Sequence, residues 1–320
     1  DNGSSTNRTN ASITGGVYGV SVGNGGGSIT NEATATISGG LNSVTSSGAT
    51  TLVNAGQLVG DVRLDATAEH AVTLTSGGTI QGQLNIGTNT ESTLTLNGTG
   101  TAQKYSDTVN GAVSGATTFV GKLIKEGSGT WIANVALTPA DVAVNGGTLV
   151  AATNNALGAG MVTVNNSADL ASTLQVASGV GINNAINLVQ GGALDNAGLI
   201  SGTGASVGNR SVLVQGNNGA ATVVNHDGGQ IMAGVGAGGS ALGAVMLTSG
   251  GSVTNTGQGL GGAASEISSA SGTAVMITGY AGSVTNSGGA RIESSVASGV
   301  LMTAGGTVTN DGPSQILAAA

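Results

Sequence analysis

At 320 residues the chain is long enough for one large core or several domains, and it combines 60 glycines with only 7% charged residues. The net charge of −8, with only 7 Lys and Arg, argues against a nucleic-acid partner, because binding to phosphates requires clustered basic side chains. There is no cysteine, so disulfide bonds and thiolate metal sites are excluded.

The first part of the chain, residues 1–120, consists of short apolar runs separated by glycine and asparagine. Examples are Val20-Ser21-Val22 and Ser28-Ile29-Thr30-Asn31, in which apolar residues alternate with polar ones. A period of two residues is typical of strands, and no run has the period of a helix. We therefore predict an all-β fold of short strands.

An asparagine closes one strand in each copy of this repeated phrase. The set is Asn31, Asn54, Asn225, Asn255, Asn286 and Asn310, and adjacent copies lie 23 to 31 residues apart. A unit of that length with three short strands fits one coil of a right-handed, single-stranded parallel β-helix, a solenoid of about 12 coils here. We expect each asparagine to be a structural turn residue with a left-handed backbone, and the amides to hydrogen-bond from coil to coil.

A different phrase occupies residues 121–176. It runs Leu123-Ile124-Lys125-Glu126-Gly127-Ser128-Gly129-Thr130-Trp131, then Val144-Asn145-Gly146-Gly147-Thr148-Leu149, then Ala156-Leu157-Gly158 and Val162-Thr163-Val164. This order resembles the autotransporter-associated β-strand repeat, found in passenger domains of type V secreted proteins of Gram-negative bacteria. The sequence departs from the repeat at 134–141, where the family usually has a loop rich in Asn, Thr, Tyr and Gly.

The resemblance implies a passenger domain displayed on the outer membrane of a Gram-negative bacterium or secreted from it. It implies an outer-membrane barrel beyond Ala320 as a partner in export. It also implies contacts with proteins or glycans on host or neighbouring cells, or self-association. The positions that match the repeat would be structural and not part of an active site: Gly127, Gly129, Trp131, Gly146, Gly147 and Leu149.

Residues 177–320 return to the first phrase without a linker. We therefore expect one continuous β-helix over 1–320, in which adhesin-like coils at 1–120 and 177–320 flank the repeat at 121–176.

The first strand of each coil in this last part provides a candidate contact surface. If Val245 and Leu247 face the core, then the residue between them faces outward. The equivalent outward positions are Leu213, Met246, Met276 and Leu301. Stacked, they would form an exposed apolar stripe, which often marks an interaction site. The alternatives are that a loop covers these side chains or that the local alternation is opposite.

Catalytic and metal-binding chemistry has little support in the sequence. No nucleophile-elbow motif accompanies His70 or His226, so we expect both histidines in solvent-facing loops. One charged cluster exists, consisting of Asp61, Arg63, Asp65, Glu69 and His70. The first three would share one strand face, either as a weak cation or sugar site or, as we favour, as a solvated face. No cofactor is expected.

These observations favour a non-enzymatic, surface-displayed passenger domain that acts in adhesion or cell–cell aggregation through the side of a rigid β-helix. The alternative is a β-helix that binds or cleaves polysaccharide. A groove lined by three or more carboxylates with an arginine would favour the alternative.

Overall fold

The computed structural model describes residues 3–100, 102–110, 117–202, 212–234, 243–259 and 261–319, apart from the side chain of Thr118. The chain divides into two compact units, Asp1–Val142 (unit 1) and Ala143–Ala320 (unit 2). One continuous β-helix over both units stays a prediction.

The described elements of unit 1 are short strands and one short helix. The strands are β1 (Gly3–Asn7), β2 (Ser12–Gly15), β3 (Tyr18–Val22), β4 (Gly27–Asn31), β5 (Thr36–Ser46), β6 (Thr50–Asn54), β7 (Gln57–Arg63), β8 (His70–Thr75), β9 (Thr79–Gln81), β10 (Leu84–Gly87), β11 (Thr93–Asn97), β12 (Gln103–Lys104), β13 (Thr117–Phe119), β14 (Lys122–Glu126) and β15 (Thr130–Ala133). Helix α1 spans Tyr105–Thr108. In the described part of the chain, no helix has the length and apolar character needed to span a membrane.

Strand β16 (Asp141–Val144) contains the boundary between the units. The strands of unit 2 that follow it are β17 (Gly147–Ala151), β18 (Val162–Asn165), β19 (Ser172–Val176), β20 (Gly181–Ile182), β21 (Ile186–Val189), β22 (Ala193–Asn196), β23 (Leu199–Gly202), β24 (Val212–Asn217), β25 (Ala221–His226), β26 (Gln230–Ala233), β27 (Gly243–Leu247), β28 (Gly251–Thr256), β29 (Glu266–Ser269), β30 (Val275–Ile277), β31 (Gly282–Ser287), β32 (Arg291–Ser294), β33 (Val300–Met302), β34 (Gly306–Asn310) and β35 (Gln315–Leu317).

The strands of unit 2 build a parallel β-helix. The first sheet has the order β18-β21-β24-β27-β30-β33, the second β17-β19-β22-β25-β28-β31-β34, and the third β20-β23-β26-β29-β32-β35. Successive strands therefore go to the three sheets in turn, so that β24, β25 and β26 form one coil and β27, β28 and β29 the next. The predicted parallel β-helix with three short strands per coil is confirmed.

Inward-pointing aliphatic residues line up from coil to coil inside unit 2. The clearest column lies on the third sheet, where strand pairing places the fully buried Ile182, Ile200, Ile231, Ile267 and Ile292 in register. A one-residue slip would turn every side chain of a strand to the other face, so the alternating pattern fixes the register. Burial of each isoleucine contributes about 1.5–3 kcal/mol.

Unit 1 is also built from parallel sheets. One sheet has the strand order β1-β4-β6-β8-β11-β14, and in another β5 pairs with β2, β3 and β7. Its interior contains a column in which Ile29, Leu52, Val72, Leu94 and Leu123 are in register and buried. The strands therefore form for the same reason as in unit 2, because alternate apolar residues need a common interior.

Candidate interaction surfaces

The repeated asparagines form amide ladders, as the sequence predicts, and the ladder residues are buried except for Asn310. In unit 2, Nδ2 of each ladder residue donates to Oδ1 of the next, at 2.7 Å from Asn196 to Asn225 and 2.8 Å from Asn225 to Asn255. The ladder continues to Asn286 at 2.9 Å and to Asn310 at 2.8 Å. Unit 1 has its own ladder, from Asn7 through Asn31 to Asn54.

The predicted left-handed backbone of the ladder asparagines is wrong. None of them has a positive φ, because each is the last or next-to-last residue of an extended strand. The left-handed residues come two or three positions later, as at Thr34 with φ 64° and Asp227 with φ 52°. The amide instead bonds a turn carbonyl four residues on, as from Asn225 to Gly229 at 2.7 Å. The ladder amides thus stabilise the turns between strands by hydrogen bonds from the interior of the coil.

The positions that match the β-strand repeat lie in places where side-chain choice is restricted. Trp131 and Leu149 are buried, and Gly146 is buried as well. Gly127 and Gly147 have φ values of 71° and 64°, a region that favours glycine. A Cβ on Gly129 would lie 3.0 Å from the carbonyl oxygen of Gly98. Such constraints are what a structural role requires.

Lys125, within the same phrase, is a buried cation in unit 1. Its side chain is fully buried, in register with Leu96. The amine donates to the carbonyl oxygens of Glu126 and Gly127 at 2.7 and 2.8 Å. Burial lowers the pKa of Lys125 to about 8, although the nearby charge of Glu126 acts in the opposite direction.

The predicted apolar stripe is present in part, in unit 2. Strand pairing places Met246, Met276 and Leu301 in register, and we call this set the apolar column. Exposure rises along it, from 8% at Met246 through half-buried Met276 to 39% at Leu301. A groove of about 560 Å³ runs beside the column, lined by Met246, Met276 and the exposed Val296.

Leu213 does not belong to the apolar column, which corrects the predicted stripe. The repeat aligns Leu213 with Met246, but strand pairing places Gln215 in register with Met246. The register between β24 and β27 is therefore shifted by two residues. A two-residue shift preserves the face of a strand, but Leu213 is completely buried. It packs against Gly202, where a Cβ would lie 2.8 Å from Leu213 Cδ1.

Both histidines depart from the prediction of solvent-facing loops. His70 is in β8 and is buried, with Nε2 2.8 Å from the carbonyl oxygen of Asp65 and Nδ1 accepting from the Thr50 amide. The sequence around His70 alternates as a strand, so the position faces inward.

His226 is in β25 on the second sheet of unit 2, where it joins two carboxylates. Its Nε2 lies 2.7 Å from Asp195 Oδ1, and its Nδ1 lies 2.9 Å from Asp227 Oδ2. Burial disfavours the charged imidazole, but the hydrogen bonds to Asp227 and Asp195 outweigh it and raise the pKa of His226. This group connects two adjacent coils electrostatically.

The charged cluster of unit 1 does not assemble into one site. Asp61 accepts from the Gln83 amide at 2.8 Å. Asp65 lies beyond the end of β7 and caps a turn, because its carboxylate accepts from the amide and the hydroxyl of Thr67 and from the amide of Ala68. These hydrogen bonds lower the pKa of Asp65. Within the described ranges, no three His, Asp or Glu side chains are placed to hold a metal ion. Glu69 and Arg63 are exposed.

A second groove, which the sequence analysis missed, lies on the outer face of the third sheet of unit 2. We call it the third-sheet groove; its volume is about 800 Å³, and its lining includes Ser201, Met232, Glu266, Ser268 and Glu293. Glu293 forms an ion pair with Arg291, which precedes it by two residues on the same strand face. The sequence does contain a pattern that marks this surface, a polar or charged residue, then isoleucine, then one further residue. It recurs in Gln230-Ile231-Met232, Glu266-Ile267-Ser268 and Arg291-Ile292-Glu293.

Comparison with known proteins identifies no relative of the chain. No protein-family model, no curated protein and no solved structure matches the chain.

Proposed function

We propose that the chain is a non-enzymatic β-helical passenger domain, displayed on the surface of a Gram-negative bacterium, that acts in adhesion or cell–cell aggregation. Contact is made through the side of the coils of unit 2. The observation that carries the proposal is the apolar column, because three stacked coils present Met246, Met276 and Leu301 in register beside a groove.

The rest of the chain supports this proposal. The resemblance at 121–176 supports export as a passenger domain, and the low share of charged residues suits contact by apolar and hydroxyl groups. The strands fix the backbone positions of the column, so association does not cost the ordering of a flexible loop. The partner is a protein or glycan of another cell surface, or a second copy of the chain.

The test measures the settling of cells that display the chain. Met276 and Leu301 are the accessible members of the column, so the double variant Met276→Ser, Leu301→Ser removes its exposed apolar surface. We expect cells that display the parent chain to clump and settle, and those that display the double variant to settle as slowly as cells without it.

The matched control is Leu41→Ser in unit 1, since Leu41 is 59% exposed and lies outside the column. This variant should settle like the parent. If the parent and the Met276, Leu301 variant settle equally, the apolar column is not the contact surface. If cells that display the parent neither clump nor adhere, the proposed function is contradicted.

The alternative function is binding or cleavage of polysaccharide, and the third-sheet groove favours it. The groove has two carboxylates, Glu266 and Glu293, next to Arg291. This is one carboxylate fewer than the three, with an arginine, that would favour the alternative from the sequence. An assay of reducing ends released from a glycan panel tests cleavage. Release that disappears in Glu266→Gln would support the alternative over the non-enzymatic proposal, and no release from any glycan would contradict cleavage.

A further inference from the structure

The third-sheet groove crosses four successive coils of unit 2. Its floor is the outer face of β23, β26, β29 and β32, which pair in parallel. One column of outward residues is Ser201, Met232, Ser268 and Glu293, in register. With coils about 4.8 Å apart, these four positions span about 14 Å, a length suited to a short linear ligand.

The floor of the groove is held rigidly from below. Ile200, Ile231, Ile267 and Ile292 point into the interior beneath the outward residues, and all are fully buried. The outward side chains therefore start from fixed backbone positions. A site built on strands of this kind is preorganised, so little conformational entropy is lost when a ligand binds.

The groove presents a mixture of groups that suits an uncharged, polyhydroxylated ligand. Glu266 and Glu293 supply carboxylate acceptors, and hydrogen bonds from hydroxyls to charged carboxylates are stronger than those between neutral groups. Ser201 and Ser268 supply hydroxyls, and Met232, 38% exposed, supplies an apolar surface for the C–H face of a sugar ring. Ser201 already donates to Asn183 Oδ1 at 2.8 Å, which orients both groups.

Other ligand classes fit these groups less well. Two carboxylates against one arginine, which is itself paired with Glu293, disfavour phosphates and acidic sugars. An apolar ligand would have to desolvate Glu266 and Glu293 without replacing their hydrogen bonds. Neither cost arises for a neutral sugar, whose hydroxyls replace the displaced water.

We propose that the third-sheet groove binds a neutral oligosaccharide, with successive sugars lying over successive coils. Glu266 and Glu293 accept hydrogen bonds from sugar hydroxyls, and Met232 packs against a ring. The groove is on a different sheet from the apolar column, so this proposal and adhesion through the column fail separately.

The experiment uses the purified 320-residue chain on an array of neutral and acidic glycans, followed by calorimetric titration of the best neutral ligand. We expect the double variant Glu266→Gln, Glu293→Gln to weaken binding by about tenfold or more, since hydrogen bonds to charged groups are lost. Ser268→Tyr should abolish binding by filling the groove, because Ser268 is a half-exposed lining residue.

The matched control is Glu91→Gln, which changes an exposed carboxylate in unit 1 and should bind like the parent. Far-ultraviolet circular dichroism of every variant confirms that the β-structure is intact. The proposal is overturned if no neutral glycan is retained, if only acidic glycans bind, or if the folded double variant and the folded Ser268→Tyr variant both bind as tightly as the parent.

Discussion

Units 1 and 2 each contain a column of asparagines on one of their sheets, and the two columns differ in how far the asparagines extend. In unit 2 the column begins with the apolar Ala151 and Val176 and is then asparagine without interruption from Asn196 to Asn310. In unit 1 it begins with Asn7, Asn31 and Asn54, and then continues in register as Leu74, Leu96 and Lys125.

The asparagines of the two columns also differ in the hydrogen bonds that they make. Asn225 and Asn286 each reach a carbonyl oxygen four residues on, a carbonyl of the next coil and the next amide. Asn54 ends its ladder, and among the described residues its amide donates to the Thr79 carbonyl alone. A buried amide needs hydrogen-bond partners, so Asn54 is less fully satisfied than Asn225 or Asn286, and Leu74 follows it in the column. At Lys125 the side-chain amine donates to the carbonyl oxygens of Glu126 and Gly127.

The largest expected effect of a single change in this column is at Asn255. Asn255→Ala removes bonds to Asn225, Asn286 and the Arg291 carbonyl, all 2.8 to 2.9 Å long, from a fully buried position. We expect the free energy of unfolding to fall by about 3 kcal/mol in urea denaturation. Thr254→Ala, on the outward face, is the control and should cost about 0.5 kcal/mol or less. Equal costs would show that the ladder does not stabilise unit 2.

A pH-dependent effect is expected at Lys125 in unit 1. The folded chain releases this proton near pH 8, whereas the unfolded chain holds it to about pH 10.5. The unfolded state binds more protons between these values, so the free energy of unfolding rises with pH. Relative to Lys125→Met, the parent should gain up to about 2 kcal/mol between about pH 7.5 and about pH 9.5. A constant difference across this range would contradict a lowered pKa.

The smallest expected effect is at Asn54, where the ladder of unit 1 ends. Asn54→Ala removes the acceptor for Asn31 and one donation to Thr79. Since Asn31 keeps its bond to the Gln57 carbonyl, we expect a loss of only about 1 kcal/mol. The same urea experiment measures it. A cost equal to that of Asn255→Ala would abolish the distinction between the two ladders.

The sequence predicts the fold because the repeat carries it directly. Strand alternation and the spacing of asparagines depend on local pattern, and both determine the stacking of coils. The backbone of the ladder residues could not be predicted, because turn chemistry two or three residues later, as at Asp227, supplies the left-handed conformation.

The surfaces were harder to predict, because they depend on packing between distant residues. Leu213 has the right alternation for an exposed residue, but it is completely buried and lies close to Gly202. Glu266 and Glu293 are separated by a full coil of variable length, so their proximity is visible only once β29 and β32 are paired.

The isoleucine column of the third sheet has a consequence for how such a chain changes over generations. Each coil presents the same kind of surface above and below it, so a junction between any two coils resembles every other junction. If one whole coil is duplicated or deleted, the coils on either side of the change still stack through matching isoleucine positions. The length of unit 2 can therefore vary by whole coils without a change in the residues that line its interior.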